Sequence, residues 1–234
     1  MEDILYDEMI TDFCEEVIMK NAAIAQCIYI FVEGDCEEAI FQRLLEDCGL
    51  NFNSDGIFIA NYNGIGNLKH AIRLLRKTLS HDRPIIVTYD DDLPGKKASM
   101  NISDTLITTF KIPQTPVVNY SDGSSGGSLE EAFTPESFMQ ACFEKDVIAN
   151  FSHDMQVSFR STFKIKEPWF SQFAKFIEQN NGRACSINKL RLAEHMAESC
   201  ASVPDTFKAL AETVLSLRKI HPIKHPNDIE LPFK

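Results

Sequence analysis

Several signals of familiar chemistry are missing from these 234 residues. The seven cysteines stand at 14, 27, 36, 48, 142, 185 and 200, with no CxxC among them. That pattern excludes a zinc ribbon and a disulfide-framed secreted domain, and the thiols read as reduced, mostly apolar fillers. The six histidines offer one HxxxH spacing, His221 to His225, and it does not make a helical zinc site. His221 and His225 lie four apart, but Pro222 and Pro226 beside them deny a shared helical face. No GxxxxGK[ST] occurs. Gly64-Ile65-Gly66-Asn67 is not a phosphate loop, because no Lys-Ser/Thr follows it.

Positive charge is scarce as well. Lysine and arginine total 23 against 34 acidic residues, for a formal net charge of -11 and a pI near 5.0. Such a chain does not coat nucleic acid by bulk charge. A polyanionic substrate would need local compensation, from bound metal ions or a basic partner. Long apolar runs are also absent: Ile28 to Val32 is far too short to cross a bilayer. The start, Met1-Glu2-Asp3, has no positive n-region. We therefore expect a cytoplasmic protein with no membrane partner.

The remaining composition is that of an ordinary globular chain, with 44% hydrophobic and 24% charged residues. At this length about 70% of the unfolded surface can be buried without disulfides. Residues 4 to 24 carry Ile4, Leu5, Ile10, Phe13, Val17, Ile18 and Ala22 at helical spacing, which predicts an amphipathic helix docked on the body of the protein. Cys27 to Val32 is a continuous apolar, β-branched strand, broken by Glu33-Gly34-Asp35. Residues 36 to 48 predict a helix and Ile57 to Ala60 a second strand. Leu68 to Leu79 predicts a helix with Lys69, Arg73 and Arg76 on its outer face and Lys77 beside them. Ile85 to Tyr89 predicts a third strand, running into Asp90-Asp91-Asp92. This alternation argues for parallel strands with helical crossovers. Ser103 to Phe110 reads as a further helix, and Val117 to Asn119 as a fourth strand before a Gly/Ser-rich loop, 121 to 128. Residues 136 to 218 look helical and rich in phenylalanine, a core or protein interface more than a stacking platform for bases. Residues 221 to 234 read as an extended tail.

The acids fall where chemistry would want them. Glu33 ends the first strand, and Asp90 ends the third with Asp92 two residues on. In an open parallel sheet, ligands bind outside the carboxyl ends of the strands, so these residues should converge. Glu37 lies in the helical turn after Glu33, and Glu130 follows the flexible loop. Any one of them could be a helix cap or turn former. Converging carboxylates raise one another's pKa or collect a cation, and oxygen-only ligands suit Mg²⁺ or Mn²⁺, one or two ions.

Two segments resemble the signatures of a Toprim domain, the fold shared by topoisomerases, primases and a group of nucleases. They are Ile30-Phe31-Val32-Glu33-Gly34-Asp35-Cys36-Glu37 and Ile85-Ile86-Val87-Thr88-Tyr89-Asp90-Asp91-Asp92. Within the Toprim group, the chain is similar to the overcoming-lysogenization-defect (OLD) nucleases. Glu37 matches their second acid, and Ser128-Leu129-Glu130 their Ser-x-Glu element, with Glu131 as the fallback. Their later lysine is matched by Lys189 in Asn188-Lys189-Leu190-Arg191, with Lys164 and Lys166 as alternatives.

The resemblance implies an α/β Toprim-like parallel sheet of about four strands flanked by helices, with a mostly helical C-terminal extension. The expected organisation is an N-terminal helix (1–26), a catalytic domain (27–135) and a helical extension with tail (136–234). The implied activity is metal-dependent hydrolysis of phosphodiester bonds in DNA or RNA, tRNA included. Glu33, Glu37, Asp90, Asp92 and Glu130 would be metal ligands, and Glu33, Lys189 and Ser128 catalytic. Lys96, Lys97, Arg73 and Arg76 would contact nucleic acid. The implied partner is a separate ABC-type ATPase, as in anti-phage effectors, and a homo-oligomer is compatible with this reading. The alternative is a non-catalytic Toprim-fold subunit that binds such an ATPase.

Overall fold

The computed structural model describes residues 2–78, 83–181 and 186–229, with side chains from residue 11 onward except at 77, 78 and 181. Lys77, Leu79, Cys185 and the end of the tail lie outside the described side chains. The order is α1 (Glu2–Ala25), β1 (Ile28–Val32), α2 (Asp35–Glu46), β2 (Ile57–Asn61), α3 (Leu68–Thr78), β3 (Ile85–Asp90), α4 (Leu93–Met100) and β4 (Ile107–Ile112). A two-residue ribbon comes next, β5 (Val118–Asn119) with β6 (Ser125–Gly126). Five α-helices follow among the described residues: α5 (Pro135–Ala141), α6 (His153–Thr162), α7 (Trp169–Asn181), α8 (Lys189–Ser199) and α9 (Asp205–Ile220).

The main sheet is parallel, in the order β2-β1-β3-β4. Strand alternation splits its side chains between two apolar layers. Ile28, Ile30, Val32, Ile86, Phe110 and Ile112 face α2 and the helical half. Phe31, Ile85 and Val87 face the other way, toward Leu68 and Leu75 of α3. That explains why β1 reads as an uninterrupted apolar run. The register pairs Tyr29 with Ile85 and Phe31 with Val87. Carried on two residues, it sets Glu33 level with Tyr89, next to Asp90.

The helical half shares the first layer's cluster, which runs from Ile28 to Val214. Its centre is aromatic: Phe138, Phe159, Trp169 and Phe173 are fully buried. Their rings meet at 5.4 Å (Phe159–Phe173) and 5.5 Å (Phe138–Trp169). The phenylalanine-rich helices are core, not a stacking platform.

Three expectations are corrected. Ser103 to Phe110 does not form a helix; Ile107–Ile112 is the fourth strand of the sheet. The β-branched run Ile107-Thr108-Thr109 favours an extended backbone, and Phe110 and Ile112 alternate inward. Val117 to Asn119 supplies only the small antiparallel ribbon. The described part of the first helix, residues 11–25, docks only at its end, and Ile4, Leu5 and Ile10 lie outside the described side chains. Ala22 and Ala23 are buried, but Phe13 and Ile24 are 66% and 64% exposed. Near the end of α1, Phe58 of β2 is also left exposed.

Because the sheet and the helical half share one core, Phe138→Ala should destabilise the whole molecule by about 3–5 kcal/mol in a single urea transition. A loss below about 1 kcal/mol, or a separate early transition of the helical half, would contradict the shared core.

Candidate active site

Glu33 leaves β1 where Gly34 begins the turn into α2. Its carboxylate is half-buried, and burial raises its pKa. The Ile65 backbone N–H and Lys189 pull the other way, while Asp92 adds to the rise. Glu37, in the first turn of α2, accepts a hydrogen bond from Gly34 N–H at 3.1 Å. Burial pushes its pKa up to about 7, with Glu130 and Glu33 adding to the effect. Asp90 ends β3. Burial drives its pKa well above the usual range, and Glu37, Glu130, Glu33 and Asp92 push further in the same direction. Asp92 caps α4, its Oδ1 accepting from Gly95 N–H at 2.7 Å.

The third segment follows directly after the ribbon. Ser128 opens a 3-10 turn over Leu129–Ala132. Its hydroxyl donates to Glu130 Oε2 at 2.6 Å and reaches Glu131 Oε2 at 2.7 Å. Glu130 is 2% exposed, and its Oε1 lies 3.3 Å from Lys189 Nζ. Burial opposes the Lys189 charge, but Glu130 and its neighbours outweigh it and hold the ammonium pKa above its ordinary value. The Phe170 ring lies beneath the ammonium, 4.7 Å from its centroid. Glu131, the fallback for Glu130, has a different task. It accepts from Ser128 N–H and from Trp169 N–H, both at 2.7 Å, and so ties the loop to the start of α7.

Five of the expected residues therefore belong to one electrostatic neighbourhood: Glu33, Glu37, Asp90, Asp92 and Glu130. Ser128 and Lys189 join it by direct contact. Among the described residues, no three Asp, Glu, His or Cys side chains close around a common point tightly enough to cage an ion as they stand. Several instead hold local partners, as the caps on Gly34 and Gly95 show. The donor chemistry nonetheless fits a hard divalent cation. All donors are oxygen, and the carboxylates around Asp90 add to the burial that raises its proton affinity.

The basic residues divide. Arg73 and Lys97 are exposed. Arg76 is bound to Asp104 at 3.1 Å, and Lys96 to Asp91 at 3.2 Å. Sequence reasoning passed over Asp91, which is 1% exposed; strand alternation, which sends it opposite to Asp90 and Asp92, was the available signal. It also passed over Tyr62, whose hydroxyl donates to Thr88 O at 2.9 Å behind the site. Cys36 sits beside the site, but burial pushes its thiol up to about 11. It stays protonated at neutral pH and is no nucleophile.

Residues 28–92 match the family model of the overcoming lysogenization defect protein-like TOPRIM domain. The chain carries a Toprim domain similar to that of the OLD proteins. Its fold is also that of the C-terminal region of the Xanthomonas campestris pv. campestris OLD protein. The platinum-phased structure of that region is 16% identical, with 83% of this chain and 95% of that chain covered and a TM-score of 0.51. The mercury-phased one is 15% identical, with 83% and 97% covered and a TM-score of 0.52. The C-terminal region of the Burkholderia pseudomallei OLD protein is 17% identical over 81% and 96%, with a TM-score of 0.49. No curated protein matches the chain. The OLD-like Toprim match suggests nuclease-type function, and Toprim domains generally bind divalent metals. No helix among the described residues is long and apolar enough to cross a membrane.

A carboxylate whose pKa is raised on folding holds its proton longer in the native than in the unfolded state. Stability is then full below about pH 4.5 and falls as pH rises toward about 7 for Glu37. In chelator, Glu37→Gln should flatten that fall and raise the melting temperature at pH 8, leaving pH 4.5 nearly unchanged. A lower melting temperature at pH 8 would contradict mutual repulsion at this edge.

Proposed function

We propose that the chain is a metal-dependent nuclease that hydrolyses phosphodiester bonds in DNA or RNA, tRNA included. The observation that carries this reading is the convergence of Glu33, Glu37, Asp90, Asp92 and Glu130, from three separate stretches of chain, with Lys189 on Glu130. Glu33, Glu37, Asp90, Asp92 and Glu130 would hold one or two Mg²⁺ or Mn²⁺ ions. Bound there, the metal would neutralise phosphate charge and activate water for attack.

The remaining roles belong to the protein. Glu33 is half-buried with a raised pKa, suited to receive a proton from the attacking water. Lys189, held by Glu130 and backed by Phe170, supplies the cation for charge developing on the phosphate oxygens. Ser128 fixes the Glu130 carboxylate by donating its hydroxyl. Exposed Arg73 and Lys97 suit the flanking phosphates, whereas Lys96 and Arg76 already hold acidic partners. We further propose a cytoplasmic effector that works with a separate ABC-type ATPase in anti-phage defence.

A second reading, a non-catalytic Toprim-fold subunit that binds such an ATPase, draws on the exposed Phe13, Val17 and Ile24 of α1. A subunit without chemistry should show no divalent-dependent thermal shift.

With Mn²⁺ and end-labelled DNA and RNA, Glu33→Ala should abolish cleavage while the circular dichroism spectrum and melting curve stay near wild type. Full activity in that variant would refute the assignment. Lys189→Met should lower the cleavage rate by about 10²–10³-fold with metal binding retained; a loss under about threefold would remove the lysine from the mechanism.

A further inference from the structure

Asp91 interrupts the two site acids and faces away from them. It is among the most buried charged residues described, yet its carboxylate meets cations on both sides. Lys96 Nζ lies 3.2 Å from Oδ1, and Lys111 Nζ lies 3.6 Å from Oδ2. Oδ2 itself accepts no hydrogen bond. Lys96 also donates to Ser125 O at 2.7 Å, so one ammonium ties α4, the end of β3 and the ribbon together.

The backbone repeats the connection. Asp91 N–H donates to Ile112 O at 2.8 Å, and Asp91 O accepts from Gly127 N–H at 3.3 Å. The approach is so close that a Cβ on Gly126 would stand 1.6 Å from Asp91 O. Only glycine fits there. Ser128 and Glu130 come directly after.

We propose that Asp91, Lys96 and Lys111 form a positioning latch that holds residues 125–130 against the carboxylate edge and so sets Glu130 and Ser128. Asp91 touches no substrate in this role; it acts through the loop. Buried Asp91, flanked by two lysines, fixes the Lys96 ammonium that donates to Ser125 O, while its own backbone carbonyl accepts from Gly127 N–H, so the loop has two attachments to a rigid anchor. The latch also gives Lys96 a structural task in place of the nucleic-acid contact expected from its position. The catalytic part of this inference rests on the nuclease reading above; the anchoring part does not.

The test is amide hydrogen exchange read by peptide mass on the full chain, paired with Mn²⁺-dependent cleavage. Asp91→Asn should speed exchange across 117–133 at least tenfold, with α2 and α8 unchanged. It should also raise the Mn²⁺ concentration for half-maximal cleavage at least fivefold, with a smaller change at saturation. Unchanged exchange in 117–133 would overturn the latch. Faster exchange with an unshifted Mn²⁺ midpoint would overturn its positioning role. If the wild type cleaves nothing, the nuclease reading fails on its own, and the exchange result still decides the latch. Should Asp91→Asn not fold, Lys96→Met carries the same exchange prediction, and Lys96→Arg should restore slow exchange.

Discussion

Asp90, Glu33, Glu37, Asp92 and Glu130 crowd one edge of a parallel sheet, and much of the molecule can be understood as a way of tolerating them. Burial and like charge both raise the proton affinity of Asp90 and Glu37. An arrangement optimised only for stability would disperse these acids. The fold keeps them together by giving several a local donor: Gly34 N–H for Glu37, Gly95 N–H for Asp92, and the Ser128 hydroxyl for Glu130. Lys189 adds the nearest cation. These partners make the edge stable enough to exist while its carboxylates stay together.

The helical half is part of this arrangement. Lys189 begins α8, which packs on α2, the helix that carries Glu37. Trp169, at the start of α7, donates its backbone N–H to Glu131 and so fixes the turn that presents Glu130. Its indole is buried among Phe138 and Phe163. The aromatic core thus holds the lysine and the last carboxylate in place relative to the sheet. The Asp91 cluster secures the same loop from the other side.

Much of this was legible in the residues. The apolar run ending at Glu33, and the strand ending at Asp90-Asp91-Asp92, place two site segments through elementary rules of parallel sheets. The helix α4 was not legible, because Pro94 and Gly95 look like breakers. In fact Pro94 stands in the first turn, where no N–H is needed, and Asp92 supplies the cap. The fourth strand was misassigned because Ser103 to Phe110 is short and ambiguous in period. Lys189 was reached only through likeness to a family, since nothing local links it to Glu130. Strand alternation could have turned Asp91 away from Asp90 and Asp92, but its two lysine partners depend on tertiary contacts that no local pattern carries. The docking expected of α1 is seen only at Ala22 and Ala23 among its described side chains: an apolar stripe shows that a helix could dock, not how much of it does.

The central claim is that three separate stretches of chain meet at one divalent ion. Metal-directed cleavage tests it most directly: Fe²⁺ replaces Mg²⁺ in the intact protein, ascorbate and peroxide are added, and the fragment ends are mapped. The account predicts cuts clustered near 33–37, 90–92 and 128–130, all suppressed by excess Mg²⁺ and lost in Asp90→Asn. Cuts confined to one of these stretches, scattered over the surface, or unchanged in Asp90→Asn would contradict it.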